Sequence, residues 1–144
     1  KEALMPLIGG GGAANTAGSG GTAGVGTSLN YIGNHVYANS GTVSVPTAVT
    51  TLLDGTTANN SYIVAGIQLG CIEKVSDDFD LAIKVNGEIV YGVQLDNTHQ
   101  EFSYGMYPIT LIIPPNSRIQ VTLTNISQDV GRDWYAILTG EVYA

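Results

Sequence analysis

The stretch Phe79–Val93 constrains the fold of this chain more than any other. Two alternating apolar–polar runs flank Asn86-Gly87, the dipeptide of a tight β-hairpin. Two registers compete. A two-residue Asn86-Gly87 loop puts Val85 opposite Glu88 and Lys84 opposite Ile89, mixing apolar and charged partners. A three-residue loop, Val85-Asn86-Gly87 with Gly87 left-handed in a bulge, puts Lys84 opposite Glu88, Ile83 opposite Ile89, Leu81 opposite Tyr91 and Phe79 opposite Val93. One face then carries six apolar core positions (Phe79, Leu81, Ile83, Ile89, Tyr91, Val93). The other is polar, with Lys84 and Glu88 as an exposed pair. A one-residue slip would flip every side chain, so face segregation sets the register. The reading is therefore the three-residue loop, with its tip directed at solvent or a distal partner. A hairpin with one apolar face cannot stand alone, so the rest of the chain must supply the other half of its core.

Beyond the hairpin, short β-rich runs recur about every ten residues between turn residues. Tyr31–Ala38 reads as a weak strand, Gly41–Val45 as an alternating strand ended by Pro46, and Ala48–Leu53 as another, ended by a turn at Asp54-Gly55. Tyr62–Leu69 places Ile63, Ala65, Ile67 and Leu69 on one face. Gln100–Tyr104 reads as a strand and Met106-Tyr107-Pro108 as a bend. Ile109–Ile113 and Arg118–Thr124 read as a second hairpin closed by Pro114-Pro115-Asn116-Ser117, with Ile109, Leu111, Ile113, Ile119, Val121 and Leu123 inward. Trp134–Tyr143 is the last strand. About eight strands and no helical period predict an all-β chain. Late hairpins after a longer early strand suit a single jelly-roll β-sandwich of antiparallel strands. The lone Cys71 and the late Trp134 do not fit the immunoglobulin spacing.

Ahead of this domain, taken as residues 29–144, lies a segment taken as residues 1–28. It is a Gly/Ala/Ser/Thr-rich arm tipped by Leu4-Met5-Pro6-Leu7-Ile8. Its glycines lack the every-third spacing of collagen, and it buries too little to fold alone. No Asp, Glu, Lys or Arg occurs between Glu2 and Asp54. An uncharged arm avoids the cost of burying charge in an interface, so Leu4, Met5, Leu7 and Ile8 are its expected partner anchors. The tip is too short for a signal-peptide core, and no run is long enough to span a bilayer as a helix. The first residue is Lys1 rather than Met, as proteolytic trimming or a choice of numbering would leave it. The formal net charge of −7, with only five Lys and Arg, excludes nucleic acid as an expected partner.

No catalytic constellation assembles from the sequence, so an enzyme is not expected, and neither is a cofactor or a metal. The two histidines, His35 and His99, stand apart from each other and from Cys71, which reads as a small buried hydrophobe. Asp77, Asp78 and Asp80, with Glu73 nearby, are the densest acid cluster. They lack a calcium-loop pattern and read as a solvated turn that blunts a strand edge. Asn59-Asn60-Ser61 and Asn125-Ile126-Ser127 match glycosylation sequons, as chance allows in so Asn- and Ser-rich a chain. Tyr91, Tyr104, Tyr107, Trp134 and Tyr135 are the aromatics that would stack on a sugar, with Tyr104, Tyr107 and Trp134 the foremost ligand-facing set. The competing reading of all five is packing in a core or an interface.

Asp80–Gly87, Ile109–Thr124 with its Pro-Pro-Asn-Ser turn, and Trp134–Tyr143 together resemble the small jelly-roll proteins of tailed-phage virions. These are the capsid decoration (cement) proteins and related minor virion proteins. The resemblance covers roughly residues 30–144 and lies in strand order and style. It implies a non-enzymatic virion protein, a homotrimer on the outer capsid surface. Its partners would be the major capsid protein and neighbouring copies of itself, reached by the arm, with neither membrane nor nucleic acid involved. Tumour-necrosis-factor-like and C1q-like heads share the architecture, though the missing collagen repeat argues against the latter. The alternative expectation is a carbohydrate- or receptor-binding jelly-roll head.

Overall fold

The computed structural model describes residues 29–72, 77–95, 108–127 and 131–144. The arm, the expected strand at 100–104 and the expected bend at 106–108 up to Tyr107 lie outside them. The described residues form ten strands: β1 (Asn30–Ile32), β2 (His35–Asn39), β3 (Val43–Val45), β4 (Thr50–Thr56), β5 (Tyr62–Cys71), β6 (Phe79–Val85), β7 (Glu88–Leu95), β8 (Ile109–Ile113), β9 (Arg118–Asn125) and β10 (Arg132–Tyr143). One sheet has the order β4-β9-β6-β7. The other has the order β1-β2-β10-β5-β8, with β3 also on β10. All pairings are antiparallel, and the strands nest. Leaving aside the short β1 and β3, the first strand pairs with the last (β2·β10), the second with the second-last (β4·β9), the third with β8 (β5·β8), and the innermost two with each other (β6·β7). That is a jelly roll, and the Phe79–Val93 hairpin is its innermost turn.

Period-2 alternation builds the core as expected along β5, where Ile63, Ala65, Ile67 and Leu69 are all buried. Ile119, Val121 and Leu123 of β9 meet them from the other sheet, together with Phe79, Leu81 and Ile83 of β6. Phe79 packs edge-on against Trp134, with ring centroids 4.9 Å apart and planes at 67°. Burying a side chain of this size contributes about 1.5–3 kcal/mol, so this central layer supplies most of the fold's stabilisation. Cys71 is buried among these residues, as its apolar run predicts.

Four expectations change. The first is the hairpin register. Lys84 faces Ile89 and Val85 faces Glu88 across a two-residue loop. Asn86 (φ 54°) and Gly87 (φ 86°) are both left-handed, the type I′ geometry. A bulge at Val90 then realigns the faces, so that Ile83 meets Tyr91, Leu81 meets Val93 and Phe79 meets Leu95. Apolar residues still meet apolar ones, but the bulge achieves this, not the loop. The six expected core positions shrink to the three on β6. Ile89 is 62 % exposed, and Tyr91 and Val93 lie at a half-open edge. The tip itself is exposed, as expected, and is braced from one side. The Asn86 amide N–H donates to the Arg118 carbonyl (2.8 Å), its Oδ1 accepts from the Arg118 N–H (2.9 Å) and its Nδ2 donates to Ser117 Oγ (3.1 Å).

Second, β8 and β9 are not a hairpin. They belong to opposite sheets, and Pro114–Ser117 arches between them. Buried Thr57 fastens the arch. Its Oγ1 donates to the Pro114 carbonyl (2.7 Å) and accepts from the Ser117 N–H (2.9 Å), while its own N–H donates to the Ser117 carbonyl (2.9 Å). Third, Asp54-Gly55 is not a turn but lies within β4. Gly55 pairs with Ile119, and a Cβ at Gly55 would sit 2.7 Å from the Leu29 side chain. Asp54 lies diagonally from Arg118 and forms an exposed bidentate pair with it. Fourth, Tyr31–Ala38 is two strands. Gly33 (φ 61°) turns the chain between β1 and β2, with Ile32 facing His35.

The sandwich is also closed by a buried charge. Asp77 is fully buried at the foot of β6, and its Oδ2 accepts from Arg132 Nε (2.7 Å) and Asn125 Nδ2 (2.9 Å). This joins β9 and β10, which belong to different sheets. Asp77→Ala leaves Arg132 without this carboxylate in a mostly buried setting and should cost about 3–5 kcal/mol in urea unfolding. Thr57→Val, which keeps the shape but removes the hydroxyl, should cost about 1–3 kcal/mol in the same measurement. Removing the exposed Asp54–Arg118 pair should leave the midpoint almost unmoved.

Candidate functional site

The expected site residues scatter. Leu4, Met5, Leu7 and Ile8, together with Tyr104, Tyr107 and His99, lie outside the described residues. Trp134 is 0 % exposed and packs on Phe79, so it is a core residue and not ligand-facing. Tyr135 is half-buried with its ring laid across Gly70, where a Cβ would clash with it. The close approach of ring to backbone is what glycine at position 70 permits. Tyr91 lies exposed on β7. The acid cluster is not a solvated turn at Asp77, for the reason given above. The neighbouring Asp78 N–H donates to Ser127 Oγ (2.7 Å). Among the described residues, no three His, Cys, Asp or Glu side chains converge as metal ligands. Asn125 is buried and bonded to Asp77, which removes the second sequon as a glycan acceptor.

Two surfaces stand out instead. The first is the sandwich edge where β7 and β8 end their respective sheets. Ile89, Val90, Tyr91 and Val93 of β7 and Ile112 of β8 are all exposed apolar side chains, Ile112 by 64 %. Between the two strands opens an apolar cleft of about 250 Å³ lined by Val85, Val90, Tyr91, Ile109–Ile112 and Pro114. From Ile89 to Leu95 the strand has no charged side chain and no proline. Proteins ordinarily protect an edge of this kind with exactly those residue types, because its unpaired N–H and C=O groups template a further strand. Among the described residues, the bulge at Val90 is the one protective device at this edge.

The second surface is the outer face of the β1-β2-β10-β5-β8 sheet. Cross-strand register sets Ile32, His35, Glu141, Val64 and Ile112 in one row, and Tyr37, Thr139, Gly66 and Thr110 in the next. Beyond the first row Tyr143 stacks on Tyr62, with centroids 5.4 Å apart and planes at 18°. The Tyr143 hydroxyl donates to Glu141 Oε1 (2.9 Å). That bond and the adjoining carboxylate charge raise the Tyr143 phenol above its usual range. A shallow cleft of about 600 Å³ lies here, between β1, β2 and β10.

These tyrosines were missed in the sequence, but the signal was present. Tyr62 and Tyr37 alternate with inward residues of their own strands, and alternation alone sends them outward. The weight given to Trp134 followed from residue type, whereas strand parity places it beside Ala136 and Leu138 in the core.

No family model matches the chain, and no curated protein matches it. Among solved structures it is similar to a β-glucosidase from Paenibacillus barengoltzii, with 13 % identity and a TM-score of 0.34 over 68 % of this chain and 10 % of that one. It is also similar to a family 35 carbohydrate-binding module from Clostridium thermocellum, with 16 % identity and a TM-score of 0.34 over 77 % of this chain and 75 % of that one. Latent PorU from Porphyromonas gingivalis matches 76 % of this chain and 10 % of its own at 14 % identity and a TM-score of 0.27. The chain thus spans about a tenth of the length of the first and the third.

The exposed apolar edge carries its own prediction. Val90→Lys and Ile112→Lys, both at exposed positions, should shift the melting temperature by no more than about 2 °C. They should also suppress concentration-dependent association of the protein in analytical ultracentrifugation.

Proposed function

We propose that this chain is a non-enzymatic structural protein of a virion, of the capsid-decoration kind, seated as a trimer on the outer face of an assembled shell. The observation that carries the reading is the uncharged apolar edge of β7 and β8. It borders a jelly roll in which the buried ion pair of Asp77 with Arg132 ties the two sheets together at the other end. An apolar, charge-free strand edge suits lasting contact with other protein, either a neighbouring copy or the shell's major capsid protein. In a chain of net charge −7, the charge-free edge is also where like-charged copies can approach most closely.

The mechanism is a clamp. A protein that binds across seams of the assembled lattice, and not the free subunits, stabilises the lattice by mass action. Binding through a preformed strand edge adds little ordering cost on the side of this protein. The uncharged arm, anchored by Leu4, Met5, Leu7 and Ile8, would add contacts on the neighbouring subunit.

The test is co-sedimentation with shells assembled without this protein. Wild type should bind and raise the temperature at which the shells open. Deletion of residues 1–26 should remove binding while leaving the fold, and Val90→Lys with Ile112→Lys should weaken it. Full-strength binding by both variants would refute the reading.

A further inference from the structure

The outer face of the β1-β2-β10-β5-β8 sheet has a different chemistry from the β7–β8 edge. The edge is uniformly apolar. On the outer face, aromatic rings alternate with hydrogen-bonding side chains at neighbouring register positions. Tyr37 and Tyr143 are 44 % and 42 % exposed. Both line the 600 Å³ cleft, together with His35, Thr139 and Glu141 over a floor that includes Val64.

The Tyr143 ring is held in place before any ligand arrives. Tyr62 backs one of its faces, and its hydroxyl is tied to Glu141. Tyr143 lines the cleft while Tyr62 does not. The rim is braced as well, because the Val142 N–H donates to the Asn34 carbonyl (2.8 Å) and ties the β1–β2 turn to β10. A ring fixed in this way loses little rotamer freedom when something stacks on it.

We propose that this cleft is a binding site for neutral saccharides. Sugars present C–H faces that stack on aromatic rings and hydroxyl edges that both donate and accept. Tyr37 and Tyr143 supply the ring surfaces. The carboxylate of Glu141 accepts from sugar hydroxyls, the Thr139 hydroxyl donates or accepts, and a His35 ring nitrogen donates. The volume falls within the range of small-ligand clefts. Charge selects the class of ligand. Among the described residues no Lys or Arg stands on this face, since Lys84 and Arg118 belong to the opposite sheet and Arg132 is turned to Asp77. With Glu141 present and no fixed cation, phosphorylated, sulfated or sialylated ligands are disfavoured. The proposal does not depend on the virion reading, because it uses neither the edge nor the arm.

The test is calorimetric titration with neutral gluco-, xylo- and manno-trisaccharides, with sialyllactose as the anionic comparison. At least one neutral trisaccharide should bind saturably and sialyllactose should not. Tyr37→Ala and Tyr143→Ala should each weaken binding about tenfold, the change that 1.4 kcal/mol of lost contact produces. Tyr143→Phe, which keeps the stack on Tyr62, should retain most of it, and Tyr91→Ala should have no effect. Thermal melts of the same variants check that the fold is intact. Absence of binding by every neutral member, preference for sialyllactose, or binding unchanged in both alanine variants would each overturn the proposal. Shell co-sedimentation by Tyr37→Ala should match wild type, so failure here and failure of the decoration reading give separate results.

Discussion

The nested pairing of this jelly roll depends on one small polar junction. Thr57, Ser117 and Asn86 meet where β4 ends, where the β8–β9 arch lands and where the innermost hairpin turns. Thr57 and Ser117 are buried. Burial removes water as an alternative partner, so each hydrogen bond there is nearly obligatory. The register of β9 follows from it. Once Ser117 is fixed to Thr57 and Arg118 to Asn86, Ile119 must face Gly55 on one side and Val85 on the other. Everything inward on β9 then falls into the core between the sheets.

A second constraint acts at the opposite end of the sandwich. Asp77, Asn125 and Arg132 form a bonded set that joins the foot of β6 to the end of β9 and the start of β10. A buried charge adds specificity more readily than stability, because misalignment of the sheets would leave Asp77 unpaired at a large cost. Polar junctions at both ends and an apolar layer between them fix how the two sheets lie on each other. The molecule is left with two surfaces of contrasting chemistry: an apolar, charge-free edge at β7 and β8, and a tyrosine-studded polar face across β2, β10 and β5. An edge of the first kind suits contact with protein. A face of the second kind suits ligands that offer both C–H surface and hydroxyls.

Much of the fold was legible wherever period-2 alternation was unbroken. Ile63, Ala65, Ile67 and Leu69 read directly as a core face, and so did Ile119, Val121 and Leu123. The candidate surfaces were less legible. Tyr62 and Tyr37 are outward by alternation, yet only cross-strand register shows that Tyr37 shares one cleft with Tyr143 and Glu141 and that Tyr62 backs Tyr143. Trp134 misled because a ring suited to stacking on sugar is equally suited to stacking on Phe79.

By itself the sequence determined an antiparallel β-sandwich, the innermost hairpin at Asn86-Gly87 and the inward faces of the central strands. Local turn chemistry and side-chain alternation are properties of adjacent residues. Tertiary structure alone decided which strands share a sheet. It also decided that Pro114–Ser117 is an arch and not a hairpin turn, and that Lys84 faces Ile89 with the mismatch absorbed by a bulge at Val90. Those outcomes rest on hydrogen bonds between residues far apart in the chain. Asn86 meets Arg118, Thr57 meets Ser117 and Asp77 meets Arg132, contacts that side-chain alternation and local turn chemistry do not contain.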